Sequence, residues 1–390
     1  MLKSRDTSNW FHRTTGLSLD PYFSCSKLEW LVSQVDAIKK ALHNNSLGIG
    51  TADSWIVFQL TQGNEYCTDP TNASRTGFFN LHTLNWDADL LSFWDCKGIN
   101  LPNLLFNDKI KFNIQVEGLP SLPLLSIMGD QQAATYGHGC IKPGQAKNTY
   151  GTGSFLNYII GSEPIFSERG LITTLAYLKS DSVLFAMEGS VLIAGALVEW
   201  MIRNNWLNHP DQLESAYINP FTTSPKVFFV PAFTGLGIPH NNSNVRGLIT
   251  GLTIDTLPSD LISSALNAIA FQVDDVIQAI SDDLNLTLTE LNVDGGLAHL
   301  DRFLQFQADL SNISLSKSDM VEVTAWGTAR MAFETCGYFS DNKSSTINRK
   351  YFVPTKTEKQ RTNIRNKWKS AIDCSLLWSQ ESIDESSSKA

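Results

Sequence analysis

The sequence predicts an α/β protein of more than one domain, with helices layered on a sheet that contains parallel strands. Three observations predict it. The chain has 390 residues, well over the roughly 150 of a common domain, so two or three domains are expected. Short apolar runs alternate with longer runs of helical spacing, the pattern that gives parallel α/β layers. Finally, the same local pattern occurs at Asp130 and at Asp294, where a short apolar run ends in an aspartate beside glycine and leads into a helix-forming stretch. In such folds ligands gather at the carboxyl ends of the strands, where both aspartates would stand.

Taken in chain order, residues 28–42 carry Trp30, Leu31, Val35 and Ile38 at helical spacing on one side. Residues 54–60 form a short apolar run that reads as a strand or a buried helix. Asp69-Pro70 and the polar residues through Arg75 read as a loop. Residues 85–94 suit a short amphipathic helix, and 101–123, with prolines at 102, 120 and 123, are irregular. Residues 124–128 (LLSIM) read as a strand leading through Gly129-Asp130 into a helix at 131–136. Residues 147–150 and 155–160 are two strands joined tightly by Gly151-Thr152-Gly153. Beyond them come a strand at 183–187, a helix at 190–204, a buried strand at 226–231 and a glycine-rich loop at 234–237. Residues 257–279 form a long helix with Pro258 suited to its first turn. A strand at 291–293 ends in Asp294-Gly295-Gly296, and helices follow at 301–310 and 324–336. The last residues, 379–390, are Ser-, Asp- and Glu-rich and are expected to fray.

Composition narrows the function. Hydrophobic residues are 42% and charged residues 18%, a globular balance. The formal charge of −9 argues against nucleic acid or an anionic membrane as partner. Polar residues interrupt every apolar run, so no membrane span is expected. The N-terminus has no signal-peptide pattern. The six cysteines are scattered without a CxxC, which predicts reduced thiols, a cytoplasmic location and no structural zinc.

Asp130 has two compatible readings. At a helix start it is an N-cap. Fixed at a cleft floor, its carboxylate is a general base for a substrate hydroxyl. Gly151-Thr152-Gly153 is either a plain hairpin turn or a turn whose backbone lets a phosphate approach closely. Asp294-Gly295-Gly296 is a tight turn before a helix or an anion seat at a helix N-terminus. There is no G-x-G-x-x-G and no G-x-x-x-x-G-K-[ST], which disfavours a Rossmann site and a Walker loop. Tyr22, beside Phe23, reads as packed aromatic. The seven histidines show no ligand spacing.

These motifs together resemble the FGGY carbohydrate kinases, and within that family the members that phosphorylate glycerol. The matching runs are Thr68 to Thr76 (TDPTNASRT), Gly129 to Ala134 (GDQQAA), Lys147 to Gly153 (KNTYGTG), Phe229 to Gly237 (FVPAFTGLG) and Val293 to Gly296 (VDGG). Tyr22 to Leu31 and Arg246 to Leu266 are similar to the two family signatures, and the likeness runs from about Phe11 to about Ile372. The resemblance implies two RNase H-like domains of the actin/hexokinase ATPase type with a cleft between them. It implies a polyol-binding domain over 1–139, a nucleotide-binding domain over 140–378 and a disordered tail over 379–390. It implies ATP and Mg²⁺ as cofactors, glycerol as substrate, Asp130 as general base, and a homodimer or homotetramer as the assembly to test. Tyr22, Asp130, Gln131 and Phe155 match positions around the polyol. Thr152, Gly153, Gly195, Glu199, Gly295 and Gly296 match positions around the nucleotide, and no residue is assigned to metal.

Departures from the family pattern carry their own expectations. The family begins with an Asp-x-Gly-Thr-x-Ser hairpin and later has an Arg-Glu pair on the polyol, and the chain as given starts after both. An incomplete first domain and low activity are therefore expected of the chain as written. Glu199 replaces a usual glutamine, Leu300 a usual asparagine, and the loop 238–242 lacks the usual aromatic and aspartate. Another FGGY sugar kinase and an inactive ligand-binding relative stand as alternatives.

Overall fold

The computed structural model describes residues 5, 6, 8–223, 225–338 and 348–387, the side chains of 223 and 380–387 excepted. Its centre is a seven-stranded sheet. In spatial order the strands are Arg349–Phe352, Ser314–Ser318, Glu290–Gly295, Ala146–Tyr150, Ser154–Gly161, Val183–Val191 and Ile172–Leu178. The Glu290–Gly295 strand runs parallel to both of its neighbours, while the other pairs are antiparallel. Connection length decides this. Ala146–Tyr150 and Ser154–Gly161 are joined by only three residues, which permits an antiparallel hairpin and nothing else. Glu290–Gly295 and Ser314–Ser318 are joined through the helix Asp301–Ser311, a crossover that returns the chain in parallel. The expected parallel layering thus holds at the Asp294 strand and gives way to an antiparallel meander beyond it.

Strand alternation sends the two faces of this sheet to different fates. Tyr150, Leu156, Tyr158, Met187, Leu291 and Val293 lie on one face, within the main core. The helices Pro258–Leu284 and Asp301–Ser311 cover that face with Ile262, Leu266, Ile269, Phe303 and Phe306. Pro258 occupies the first turn, where its missing N–H costs nothing. The last helix, Glu358–Ser387, stacks Trp368 on Phe271 with centroids 5.0 Å apart. The opposite face is polar at its centre and receives the first 140 residues. Those residues build their own core from Phe11, Phe23, Leu28, Phe78, Leu90 and Trp94. They also cover the sheet's edge strand: Thr173 N donates to Gly16 O (3.0 Å) and Asn107 N to Leu178 O (2.9 Å). No helix among the described residues is long and apolar enough to cross a membrane.

Several local expectations are corrected. Residues 28–42 form two helices, Ser24–Gln34 and Asp36–His43, because Val35 between them is extended. Leu28 and Val32 face inward and Trp30 is 61% exposed, against expectation, while Ile38 packs against the core as expected. Of the two readings of residues 54–60 the helix holds, in Ala52–Leu60, whereas 85–94 divide into the strand Asn85–Trp86 and the helix Ala88–Phe93. The expected 69–75 loop contains the short helix Pro70–Ala73, capped by the Asp69 carboxylate. The 124–128 strand ends at Leu124. The expected 190–204 helix begins at Gly195, since Ser190 and Val191 belong to a strand. The terminal helix continues to Ser387, past the point where fraying is expected at 379; residues 388–390 lie outside the described residues.

A pH dependence follows from the long helix. Asp274 binds Arg365 through both carboxylate oxygens (3.0 and 2.7 Å), and the neighbouring Asp275 accepts from Trp368 Nε1 (3.0 Å). Burial pushes the Asp275 carboxyl up to about 7 from 3.8, against the pull of the Trp368 bond. The folded chain therefore holds this proton at pH values where the unfolded chain has released it. That contribution is complete below about pH 4 and is lost as pH rises through about 7. Asp275→Asn never ionises and still accepts from Trp368. Its melting midpoint should match the parent's near pH 4 and exceed it by several degrees at pH 8. Parallel melting curves across that range would rule the assignment out.

Candidate functional site

The approach to Asp130 is held by side chains rather than by a strand ladder. Asp69 is fully buried and accepts from Thr71 N (2.7 Å), Asn72 Nδ2 (2.7 Å) and Asn107 Nδ2 (2.8 Å). Burial pushes its carboxyl up to about 6, against the pull of these donors. Asn107 Nδ2 also donates to Ile127 O (2.8 Å), and Thr71 Oγ1 accepts from Gly129 N (2.8 Å). These bonds satisfy backbone groups that the expected strand would have paired. Gly129 is the extended N-cap residue, so Asp130 occupies the first helical position and is not the cap. Its side chain is exposed, with Oδ1 accepting from Gln131 N (2.7 Å).

Behind Asp130, the helix Asp130–Gly137 lies against the polar sheet face. Register defines two rows there. Asp294, Thr149, Phe155 and Ser190 stand opposite one another across four strands. One step along each strand axis, Asn292, Lys147, Asn157 and Glu188 form the next row. Lys147 is 0% exposed; its ammonium donates to Gln131 Oε1 and to Thr149 Oγ1 (3.0 Å). Burial pushes Lys147 below the usual lysine pKa, while Asp294, Glu188 and Asp130 favour its charge. Glu188, 2% exposed, is bound by Arg75 Nη2 (2.8 Å), whose guanidinium also lies 5.7 Å from the Phe23 ring centroid.

The row ends in a second buried pair, His138 Nε2 to Asp294 Oδ2 (2.7 Å). Burial holds His138 below its usual pKa, so a neutral imidazole donates to the carboxylate. For Asp294, burial pushes upward, but the His138 bond and the nearby Lys147 charge outweigh it and keep the carboxylate ionised.

Beside these rows lie the turns. The Tyr150–Ser154 hairpin closes through residues 151–153, with Thr152 exposed at the tip. Ala194 N and Ala196 N both donate to Thr152 O (3.0 and 3.1 Å), and Gly195 N donates to Gly151 O (2.8 Å). The hairpin is thereby clamped to the first turn of the helix Gly195–Arg203. Gly295 has φ +90°, and a Cβ there would lie 2.4 Å from Tyr150 O. Only glycine fits this contact between the two strands. Gly296 is exposed and a Cβ would meet nothing nearer than Tyr150 O at 4.0 Å, so its surroundings are open.

Residues 1–137 match the N-terminal domain and residues 146–336 the C-terminal domain of the FGGY family of carbohydrate kinases. The chain belongs to this family. Among FGGY relatives, it is 38% identical over 390 residues to a glycerol kinase of Pasteurella multocida, covering 97% of this chain and 77% of that protein. It is 35% identical over 383 residues to a glycerol kinase of Francisella philomiragia, with the same coverage. A crystal structure of Plasmodium falciparum glycerol kinase with ADP superposes with a TM-score of 0.86 at 30% identity, over 96% of this chain and 76% of that one. A gluconate kinase from Lactobacillus acidophilus, at 21% identity and TM-score 0.79, shares the fold.

In this FGGY chain the structure brings the sequence-chosen residues into two groups joined by one strand. Asp130, Gln131 and Phe155 border the polar rows. Thr152, Gly153, Gly195, Gly295 and Gly296 form the clamped turns, and Glu199 is exposed one helical turn beyond Gly195. Tyr22 stands apart. It is 61% exposed and meets Phe23 edge-on at 5.3 Å, so the expected buried packing is corrected. Its link to the rest runs through Phe23, Arg75 and Glu188. The sequence reading missed Asp69, Thr71, Arg75, His138, Lys147 and Glu188. Signals existed for two of them. Lys147 lies two residues before Thr149 and hence on its face of the strand, and Glu188 is the one charge within Val183–Val191. His138 gave none.

Proposed function

We propose that this FGGY kinase transfers the γ-phosphoryl group of ATP to glycerol, giving sn-glycerol 3-phosphate and ADP. The observation that carries the reading is the exposed Asp130 carboxylate, braced from behind by Asp69 and Thr71 and set beside the clamped glycine turns. The 35–38% identity to glycerol kinases supports glycerol over larger sugars. In the reaction, Asp130 accepts the proton of one glycerol hydroxyl as that oxygen bonds to the γ-phosphorus, and the bond from phosphorus to the ADP oxygen breaks. The proton stays on Asp130 until product leaves. Gln131 and Phe155 bound the polyol, and Thr152, Gly153, Gly195, Gly295 and Gly296 let the polyphosphate approach the backbone. Phosphoryl transfer is catalysed mainly by positioning and charge stabilisation, which suits a site made of rigid turns. Among the described residues no three metal-ligating side chains cluster. That donor set fits a Mg²⁺ carried by the nucleotide phosphates, with at most two protein side chains, and does not fit a resident metal cage.

Calorimetric titration of the purified chain with glycerol and with ATP, followed by ADP release on a panel of glycerol, pentuloses and gluconate, tests this reading. Binding of both ligands and a preference for glycerol are expected. Binding of neither removes it, and a preference for a pentulose or gluconate reassigns the substrate within the family.

A further inference from the structure

Lys147 is a cation in a place that rarely holds one. It lies at the centre of the sheet and is closed off from solvent. A buried ammonium persists only where its donors are matched, and here Gln131 Oε1 and Thr149 Oγ1 take two of the three. Asp294 on the adjacent strand, Glu188 two strands away and Asp130 at the helix start all favour its charge. Its two partners belong to different parts of the chain: Thr149 is on its own strand, three residues before Thr152, whereas Gln131 follows Asp130 on the helix.

The contact fixes a polarity. An ammonium only donates, so it captures the carbonyl oxygen of Gln131 and leaves the amide N–H groups of Gln131 free. Without it, that amide can turn over and present its oxygen instead. Next to Asp130, which as a carboxylate only accepts, a second acceptor would leave a polyol hydroxyl oxygen without a donor. With Lys147 in place, one hydroxyl can donate to Asp130 while its neighbour accepts from Gln131.

We propose that Lys147 is a positioning residue that sets the Gln131 amide as a hydrogen-bond donor to the polyol, an inference that rests on the polyol-kinase reading above. Lys147→Met keeps length and volume, and apolar replacement of a buried charge is often tolerated by the fold. Two calorimetric constants separate positioning from general damage. In Lys147→Met the Kd for glycerol should rise about three- to tenfold, the scale of a lost neutral hydrogen bond, while the Kd for ATP changes less than about twofold. Gln131→Glu offers Lys147 an oxygen but has no N–H, so it should lose glycerol affinity to a similar degree with a melting midpoint at or above the parent's. In a Gln131→Ala background, Lys147→Met should add less than about twofold, because the two act as one unit.

Unchanged glycerol affinity in Lys147→Met would overturn the inference. So would equal losses for glycerol and ATP, full additivity with Gln131→Ala, or parent-like glycerol binding in Gln131→Glu. A parent chain that binds no glycerol at all would instead remove the underlying polyol-kinase reading, and the role of Lys147 with it.

Discussion

Replacing Asp130 by Asn should reduce kcat by roughly 10²–10⁴-fold, the range contributed by a positioned general base. The substitution is close to isosteric. Asp130 is exposed and, among the described residues, its side chain accepts Gln131 N–H through Oδ1, which the Asn carbonyl oxygen reproduces. The braces behind it, Asp69, Thr71 and Gly129, do not involve its side chain. The fold should persist with a modest loss of stability, because the variant removes one of the three carboxylates that favour the buried Lys147 charge. Glycerol binding should persist, because the amide still meets a hydroxyl. ADP release at saturating glycerol and ATP, paired with a thermal melt, makes the comparison. Near-parent turnover in a folded variant would mean that the proton goes elsewhere.

The second large effect is expected at Gly327, far in sequence from any candidate ligand contact. The helix Val323–Thr335 crosses the Asp130–Gly137 helix at its glycines. A Cβ on Gly327 would lie 1.8 Å from Ala133 O, and one on Gly137 would lie 2.3 Å from Val323 O. Gly327→Ala sets two effects against each other. Helix propensity favours Ala over Gly by up to about 1 kcal/mol. Overpacking typically costs about 1–3 kcal/mol, and here the obstacle is backbone, which cannot rotate aside as a side chain can. The cost should win, so the variant should melt several degrees below the parent. It should also weaken glycerol binding, because the helix that must retreat carries Asp130 and Gln131 at its start. A variant as stable as the parent or more so would show that the crossing yields easily.

Much of the architecture was legible because its signals are local. The hairpin at 150–154 follows from two strand-like runs separated by Gly-Thr-Gly, and the helix start at Pro258 from a residue that suits only the first turn. The strand ending in Asp294-Gly295 and the helices at 301 and 323 follow from periodicity. Local signals failed where two readings differ only in what lies alongside. Residues 124–128 have strand composition, yet the backbone groups at Ile127 and Gly129 are taken by the side chains of Asn107 and Thr71. Trp30 has the hydrophobicity of a core residue and faces outward, because the helix Ser24–Gln34 turns Cys25, Leu28 and Val32 to the core instead.

The candidate site divides in the same way. The sequence by itself pointed to Asp130 and the glycine turns, since each rests on neighbours within a few residues: an aspartate at a helix start, glycines where backbone must be approached; Gln131 came from the family resemblance alone. Only the tertiary structure decided that Lys147 is buried and paired with Gln131, that Glu188 is neutralised by Arg75 across 113 residues of chain, and that His138 donates to Asp294 across 156. The physical reason is that a buried charge is tolerable only with a matching partner, and strand register and helix docking choose that partner. A one-residue slip in strand register would send the same side chains to the other, largely apolar face, away from these partners.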